Sequence, residues 1–303
     1  MTLITFDVDG TLIQGSSLAA QVSVHAKAFM HAVGRTFGGL NDWEEKNPSP
    51  PKVIPPDWYH GSTDGLIALQ LAKHGFGVDV TKSHPKLPEV FDLMFQYVKQ
   101  RTDEEVAAGI DVLPGVQKQL EKLAKRRAAS KDVLVGLVTG NVEGIARKKM
   151  RAVGLFQLGP FSPAANEQKV WAGEEETAFL GGFGSDFCSP TTDDHSRLSK
   201  DRGEQILIAV RRAQSLLSTD EKLVRVVHVG DAPADVLAAR YCCDSLKAQD
   251  IAVGMVACAT GKFSAIELLE VMGPLSPAEL KSWVVLEQGV GSQDFLSHCG
   301  LAP

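Results

Sequence analysis

At 303 residues, with 44% hydrophobic and 22% charged side chains, the chain has ordinary globular composition and the length of about two domains or one large one. That sets aside disordered, collagen-like and disulfide-scaffold classes. The 31 Lys and Arg against 37 Asp and Glu leave a formal charge of −6, so there is no global electrostatic reason to bind nucleic acid. No apolar run reaches about 18 residues, which argues against a membrane span. The five cysteines are sparse and contain no CxxC pair, so they read as reduced thiols. No basic leader with a cleavage site opens the sequence, and a cytoplasmic protein is the expectation.

In chain order, residues 3–6 (LITF) form a short apolar run of the kind buried on both faces of a parallel sheet. Helical spacing follows at 17–37 through Leu18, Val22, Phe29 and Val33. It recurs at 64–74, with Thr63 or Asp64 near its N-cap and Gly75 as its stop, and at 89–101 through Val90, Met94, Tyr97 and Val98. Between the first two of these, the Pro-rich residues 47–56 (NPSPPKVIPP) predict a surface loop. A further helix starts near Pro114 and repeats at Val116, Leu120, Leu123 and Ala124. It carries the basic run 122–127 (KLAKRR) as a solvated end.

Strand-like runs return at 133–138 (VLVGLV), 224–229 (VRVVHV) and 251–258 (IAVGMVAC), with a helix at 203–217 through Ile206, Ala209, Val210, Ala213 and Leu217. Residues 181–202 are polar and rich in Gly, Ser and Asp and predict a long loop; residues 273–303 show weak periodicity. His228, inside an apolar strand, reads as a core residue, and Cys242 and Cys243 as small buried side chains. Alternating strands and helices predict an α/β fold with a mostly parallel, Rossmann-like sheet. More than 120 residues separate the first two strands, too many for one crossover. The expected organisation is therefore a core of residues 1–14 and 109–303 with an all-helical domain, 15–108, inserted in it.

The chemistry lies at the strand ends. The run 3–6 is followed by Asp7-Val8-Asp9-Gly10-Thr11, the run 133–138 by Thr139-Gly140-Asn141, and the run 224–229 by Gly230-Asp231-Ala232-Pro233-Ala234-Asp235. Ligands of parallel sheets bind outside the C-terminal strand ends, where these clusters meet. Asp7, Asp9, Asp231 and Asp235 repel one another unless a cation joins them, and Mg²⁺ suits carboxylates together with substrate phosphate. Side chains at i and i+2 of an extended segment share a side, so one Asp of the Asp-x-Asp pair can attack while the other handles a proton. Gly10 permits a sharp turn immediately afterwards. A hydroxyl and backbone N–H groups, as at Thr139, Gly140 and Asn141, suit phosphate oxygens. Phosphoryl transfer fits the set.

These ordered motifs resemble the haloacid dehalogenase (HAD) superfamily: Asp7 to Thr11 is similar to its first motif DxDGT, Thr139 to its second, and Gly230-Asp231 to Asp235 to its fourth, GDxxxD. The insertion stands where that superfamily places a helical cap. His60-Gly61-Ser62-Thr63-Asp64 resembles the cap loop that dips over the site, which marks Gly61, Ser62 and Thr63 as candidate substrate contacts. The closest look is to phosphoglycolate-phosphatase-like members.

The resemblance implies a Mg²⁺-dependent phosphatase acting on a small phosphorylated metabolite. Asp7 is then the nucleophile and Asp9 the general acid and base. Asp7, the Asp9 carbonyl and Asp231 hold Mg²⁺, Asp235 acts mainly through water or neighbouring bonds, and Gly10, Thr139, Gly140 and Asn141 lie at the phosphate. The third motif calls for a Lys or Arg at a helix start; Lys200 is the first choice and Arg202 stands close behind it. Asp9 argues against a dehalogenase. A hexose phosphomutase, which shares both acids, and a non-catalytic phosphate-binding scaffold are the alternatives. A monomer or homodimer with no nucleic-acid or membrane partner is expected.

Overall fold

The computed structural model describes residues 1–15, 23–39, 61–130, 132–164, 179–192, 194, 196–277 and 279–301. The predicted loop at 47–56 and residues 17–22 of the helix predicted at 17–37 lie outside them, as does His60.

Four strands form where continuous apolar runs predict them: β1 (Thr2–Phe6), β4 (Val133–Thr139), β6 (Arg225–Gly230) and β7 (Ala252–Cys258). With β5 (Gly181–Phe183) and β8 (Trp283–Leu286) they make one six-stranded parallel sheet in the order β5-β4-β1-β6-β7-β8. β1 is central, and the chain leaves it first toward β4 and β5, then returns on the other side at β6. The strand order therefore reverses at β1, and the crevice of such a sheet opens at that switch point.

Side chains alternate across β1. Ile4 and Phe6 pack on one face, with Val116, Leu120 and Leu123 of α4 (Val116–Ser130) and Met150 of α5 (Glu143–Ala152). Leu3 packs on the other, with Ile206, Ala209 and Val210 of α6 (Arg197–Ser215) and Cys242 of α7 (Pro233–Lys247). Helices on both faces explain why the strands carry no polar alternation.

A short antiparallel ribbon, β2 (Ile13–Gly15) on β3 (Ile110–Val112), closes the two passages into the helical segment. That segment holds α1 (Val24–Gly38), α2 (Asp64–Phe76) and α3 (Leu87–Lys99). Phe29, Leu69, Phe91, Met94 and Phe95 give it a cluster of its own, which reaches the core through Val142 and Ile145. Helix α8 (Ala265–Met272) covers the β7–β8 side through Leu268 and Met272.

Three readings of the sequence change. Helix α2 runs past Gly75 and ends at Gly77, which takes the left-handed conformation (φ 65°) that suits a glycine C-cap. The stretch 181–202 is not all loop: its first three residues are β5 and its last six open α6. Helix α6 thus begins six residues before the predicted start at 203, so Lys200 and Arg202 lie within it rather than ahead of it. All five cysteines are free, and Cys242 is buried on α7. No described helix is long and apolar enough to cross a membrane.

Candidate active site

Asp7 follows the last residue of β1, where Phe6 lies opposite Leu137 of β4 and Val229 of β6. Its N–H donates to the Val229 carbonyl at 2.8 Å, so the sheet fixes its backbone. Gly10 then turns the chain at φ 88°. A Cβ there would stand 2.2 Å from an Asp231 carboxylate oxygen, so both conformation and space require glycine. Thr11 completes the turn and donates its hydroxyl to Asp231 Oδ1 at 3.2 Å.

Asp7, Asp231 and Asp235 each bring a carboxylate oxygen within 4.8 Å of the others, all buried. Arg202 enters this group from α6. Its Nη1 donates to Asp7 Oδ1 at 2.9 Å and to the Val138 carbonyl at 3.2 Å, and its Nε lies 3.4 Å from Asp235 Oδ1. Lys200 lies two residues back, about 200° around an α-helix, and stands near Asp194 outside the cavity. The preference for Lys200 over Arg202 is therefore reversed: the guanidinium, not the ammonium, meets the carboxylates. Arg202→Met is expected to lower turnover about 10²- to 10³-fold, with Lys200→Met unchanged; steady-state kinetics beside thermal melts separates this from unfolding.

Three acids around one guanidinium leave the group short of positive charge. Burial pushes the Asp7 carboxyl up to about 6, against the pull of Arg202 and with a further push from Asp235 and Asp9. Burial and the charges of Asp7 and Asp235 raise Asp231 well above the usual carboxylate range. Burial would raise Asp235 too, but Arg202 and His228 override it and hold it below its ordinary value. Asp235 Oδ2 also accepts the Ala232 N–H at 3.1 Å. Raised acids packed this closely fit a hard divalent cation with oxygen ligands.

Asp9 stands apart from that trio. Its half-exposed carboxylate takes both oxygens' bonds from Lys149 Nζ, at 2.9 and 2.8 Å, and one from Asn141 Nδ2 at 2.9 Å. Desolvation would raise this carboxyl; Lys149, helped by His25, keeps it below the usual range. Its side chain thus lines the cavity bonded to Lys149 and Asn141 rather than to the three acids.

At the end of β4, Thr139 Oγ1 accepts from the Asn141 side chain at 3.2 Å. Residues 61–64 close down on this loop. The Asp64 N–H donates to the Gly140 carbonyl at 2.7 Å, and Asp64 Oδ2 accepts the Val142 N–H at 2.8 Å and contacts His25 Nε2 at 3.0 Å. A Cβ on Gly140 would meet the Ser62 carbonyl at 2.2 Å, so this approach depends on the glycine.

A cavity of about 250 Å³ results, bringing together Asp7, Asp9, Thr139, Gly140, Asn141, Arg202 and Asp231 with Gly61 and Ser62. Two candidate contacts fall outside its walls. Thr63 is fully buried and accepts the Leu66 N–H at 3.2 Å, so its hydroxyl caps α2. Gly10 serves the turn beneath Asp231. Asp235 also lies behind the cavity, fully buried.

Sequence reasoning missed Lys149 and His25, and named Asp64 only as part of the cap loop and as an N-cap candidate. Lys149 sits on α5, a helix whose mixed spacing gave no signal, and its partner is 140 residues away. His228 is buried, as its apolar strand implies, yet it bridges Thr5 Oγ1 at 3.0 Å and Asp235 Oδ1 at 3.2 Å.

A comparison with curated proteins finds no match. The family model described as haloacid dehalogenase-like hydrolase matches residues 1–242. That span runs from β1 into α7 and includes the inserted helices. A match over well more than half the chain shows the family: this protein is a haloacid dehalogenase-like hydrolase, an enzyme class whose general reaction is phosphoric monoester hydrolysis.

Proposed function

We propose that the chain is a Mg²⁺-dependent phosphatase that works through an aspartyl phosphate on Asp7 and acts on a small phosphorylated metabolite. The observation that carries this reading is the buried Asp7 at the sheet's switch point, paired with Arg202 and flanked by Asp231 and Asp235. Asp7, Asp231 and the Asp9 carbonyl, with Asp235 behind, would hold Mg²⁺, which when bound would neutralise the acids and polarise phosphate oxygens.

In the first step an Asp7 carboxylate oxygen attacks phosphorus and the bond to the leaving oxygen breaks. Asp9 in its protonated form supplies the proton to that oxygen. In the second, ionised Asp9 takes a proton from the water that attacks phosphorus, and the bond between phosphorus and Asp7 breaks. The bonds from Lys149 and Asn141 favour this second, ionised state of Asp9. Thr139, the Gly140–Asn141 backbone and Arg202 offset phosphate charge.

The helical segment acts in this reading as a cap domain, its loop 61–64 seated on Gly140 so that water is excluded during turnover. A cavity of about 250 Å³ and a charge of −6 fit a small-molecule substrate rather than nucleic acid or a membrane surface. A monomer or homodimer in the cytoplasm is part of the same proposal. Phosphate release from a generic aryl phosphate with and without Mg²⁺ tests it: turnover only with the metal is expected, and metal-independent turnover contradicts it.

A further inference from the structure

The cavity has two chemically different halves. The half at the strand ends is charged, built from Asp7, Asp231 and Arg202. The opposite half is built by two helices that each present an apolar pair on one face: Ala26 and Phe29 of α1, spaced i and i+3, and Ile67 and Leu71 of α2, spaced i and i+4.

Ser23, His25 and Asp64, which line this second half, already hold partners. Ser23 Oγ accepts the Ala26 N–H at 3.1 Å as the N-cap of α1. His25 Nε2 and Asp64 Oδ2 meet at 3.0 Å, and the same Asp64 oxygen holds the Val142 N–H. The His25 ring also lies 5.1 Å from that of Phe29, extending the apolar wall. Among the described residues, no Lys or Arg lines this half.

A carboxylate in the leaving group is therefore penalised. It would lie against Ala26, Phe29, Ile67 and Leu71 with no described Lys or Arg in that wall, and an unpaired buried charge is costly. A polyol is penalised too, because its hydroxyls would exchange water for groups that are already bonded. The volume, below that of ordinary drug-sized ligand sites, limits the carbon body further.

Resting on the phosphatase reading, we propose that the substrate is the phosphate monoester of a small, neutral alcohol with an apolar carbon body. The face formed by Ile67 and Phe29 selects it against carboxylate-bearing and polyhydroxylated esters. Phosphoglycolate then ranks among the poor substrates.

The test measures kcat/KM by phosphate release, with Mg²⁺, for butyl phosphate, glycerol 3-phosphate, glucose 6-phosphate and phosphoglycolate. Butyl phosphate is expected to lead each of the others by about tenfold or more, the size of discrimination an apolar pocket gives. A lead for phosphoglycolate or a polyol phosphate overturns the proposal and leaves the phosphatase reading standing. No turnover of these esters or of an aryl phosphate overturns both. Ile67 is only partly buried, so Ile67→Arg can place a cation in this half. It is expected to move the phosphoglycolate-to-butyl-phosphate ratio upward about tenfold, and an unchanged ratio in a folded variant counts against the proposal.

Discussion

Replacing Asp7 by Asn is expected to lower kcat by about 10⁴-fold or more, the scale seen when a covalent nucleophile is lost. KM should change little. The amide keeps the size and position of the carboxylate at the end of β1 but cannot form the phosphorylated intermediate. It also removes a charge that the fold disfavours, since burial with Asp235 and Asp9 raises the Asp7 carboxyl to about 6. Arg202 retains Asp235 as a partner at 3.4 Å. The melting temperature of Asp7→Asn without metal should therefore not fall below that of wild type. Phosphate release and a thermal melt on the same preparation check both halves. A variant as active as wild type contradicts the nucleophile assignment.

A cation effect on stability that grows with pH is the second large expectation. Asp7 and Asp231 both sit above their ordinary carboxylate range in the folded protein. A raised carboxyl contributes stability that is fully present below its unfolded value, near 3.8, and is lost as pH rises through the folded value. The metal-free protein should thus weaken between about pH 4 and pH 6 and beyond on account of these two groups. Asp235, held low by Arg202 and His228, acts in the opposite sense, and only below its ordinary value.

Mg²⁺ binds the ionised acids, so its stabilisation should appear over the same window. At 100-fold excess over Kd a ligand adds about 2.7 kcal/mol, a shift on the order of 5 °C for a chain of this size. Differential scanning at pH 5 and pH 8, with and without Mg²⁺, should give little shift at the first and several degrees at the second. Asp231→Asn should abolish it. A shift that is independent of pH, or that survives in Asp231→Asn, contradicts the metal assignment.

The parts of the fold legible in the sequence were those whose local pattern and tertiary setting agree. β1, β4, β6 and β7 are covered by helices on both faces, so each reads as an unbroken apolar run. β5 does not: it is only Gly-Gly-Phe, and its glycines answer to close neighbours rather than to strand propensity. A Cβ on Gly182 would lie 2.0 Å from the Gln205 carbonyl, a contact made through α6 and invisible along the chain. β8, four residues long, offers too short a period to separate from its loop.

The same distinction governs the site. The carboxylates at 7, 9, 231 and 235 follow apolar strands directly, so their convergence can be read from topology alone. Choosing between Lys200 and Arg202 required the start of α6, and its first two turns are polar enough to pass for loop. Lys149 is chosen by the approach of α5 to the turn after β1, which no sequence spacing encodes.

Covalent chemistry at Asp7 can be read out by rapid acid quench of turnover with a ³²P-labelled ester. One labelled peptide is expected, the one that contains Asp7, with the label released by hydroxylamine as for an acyl phosphate and absent from Asp7→Asn. Label on another residue, or label that persists in Asp7→Asn, would contradict it.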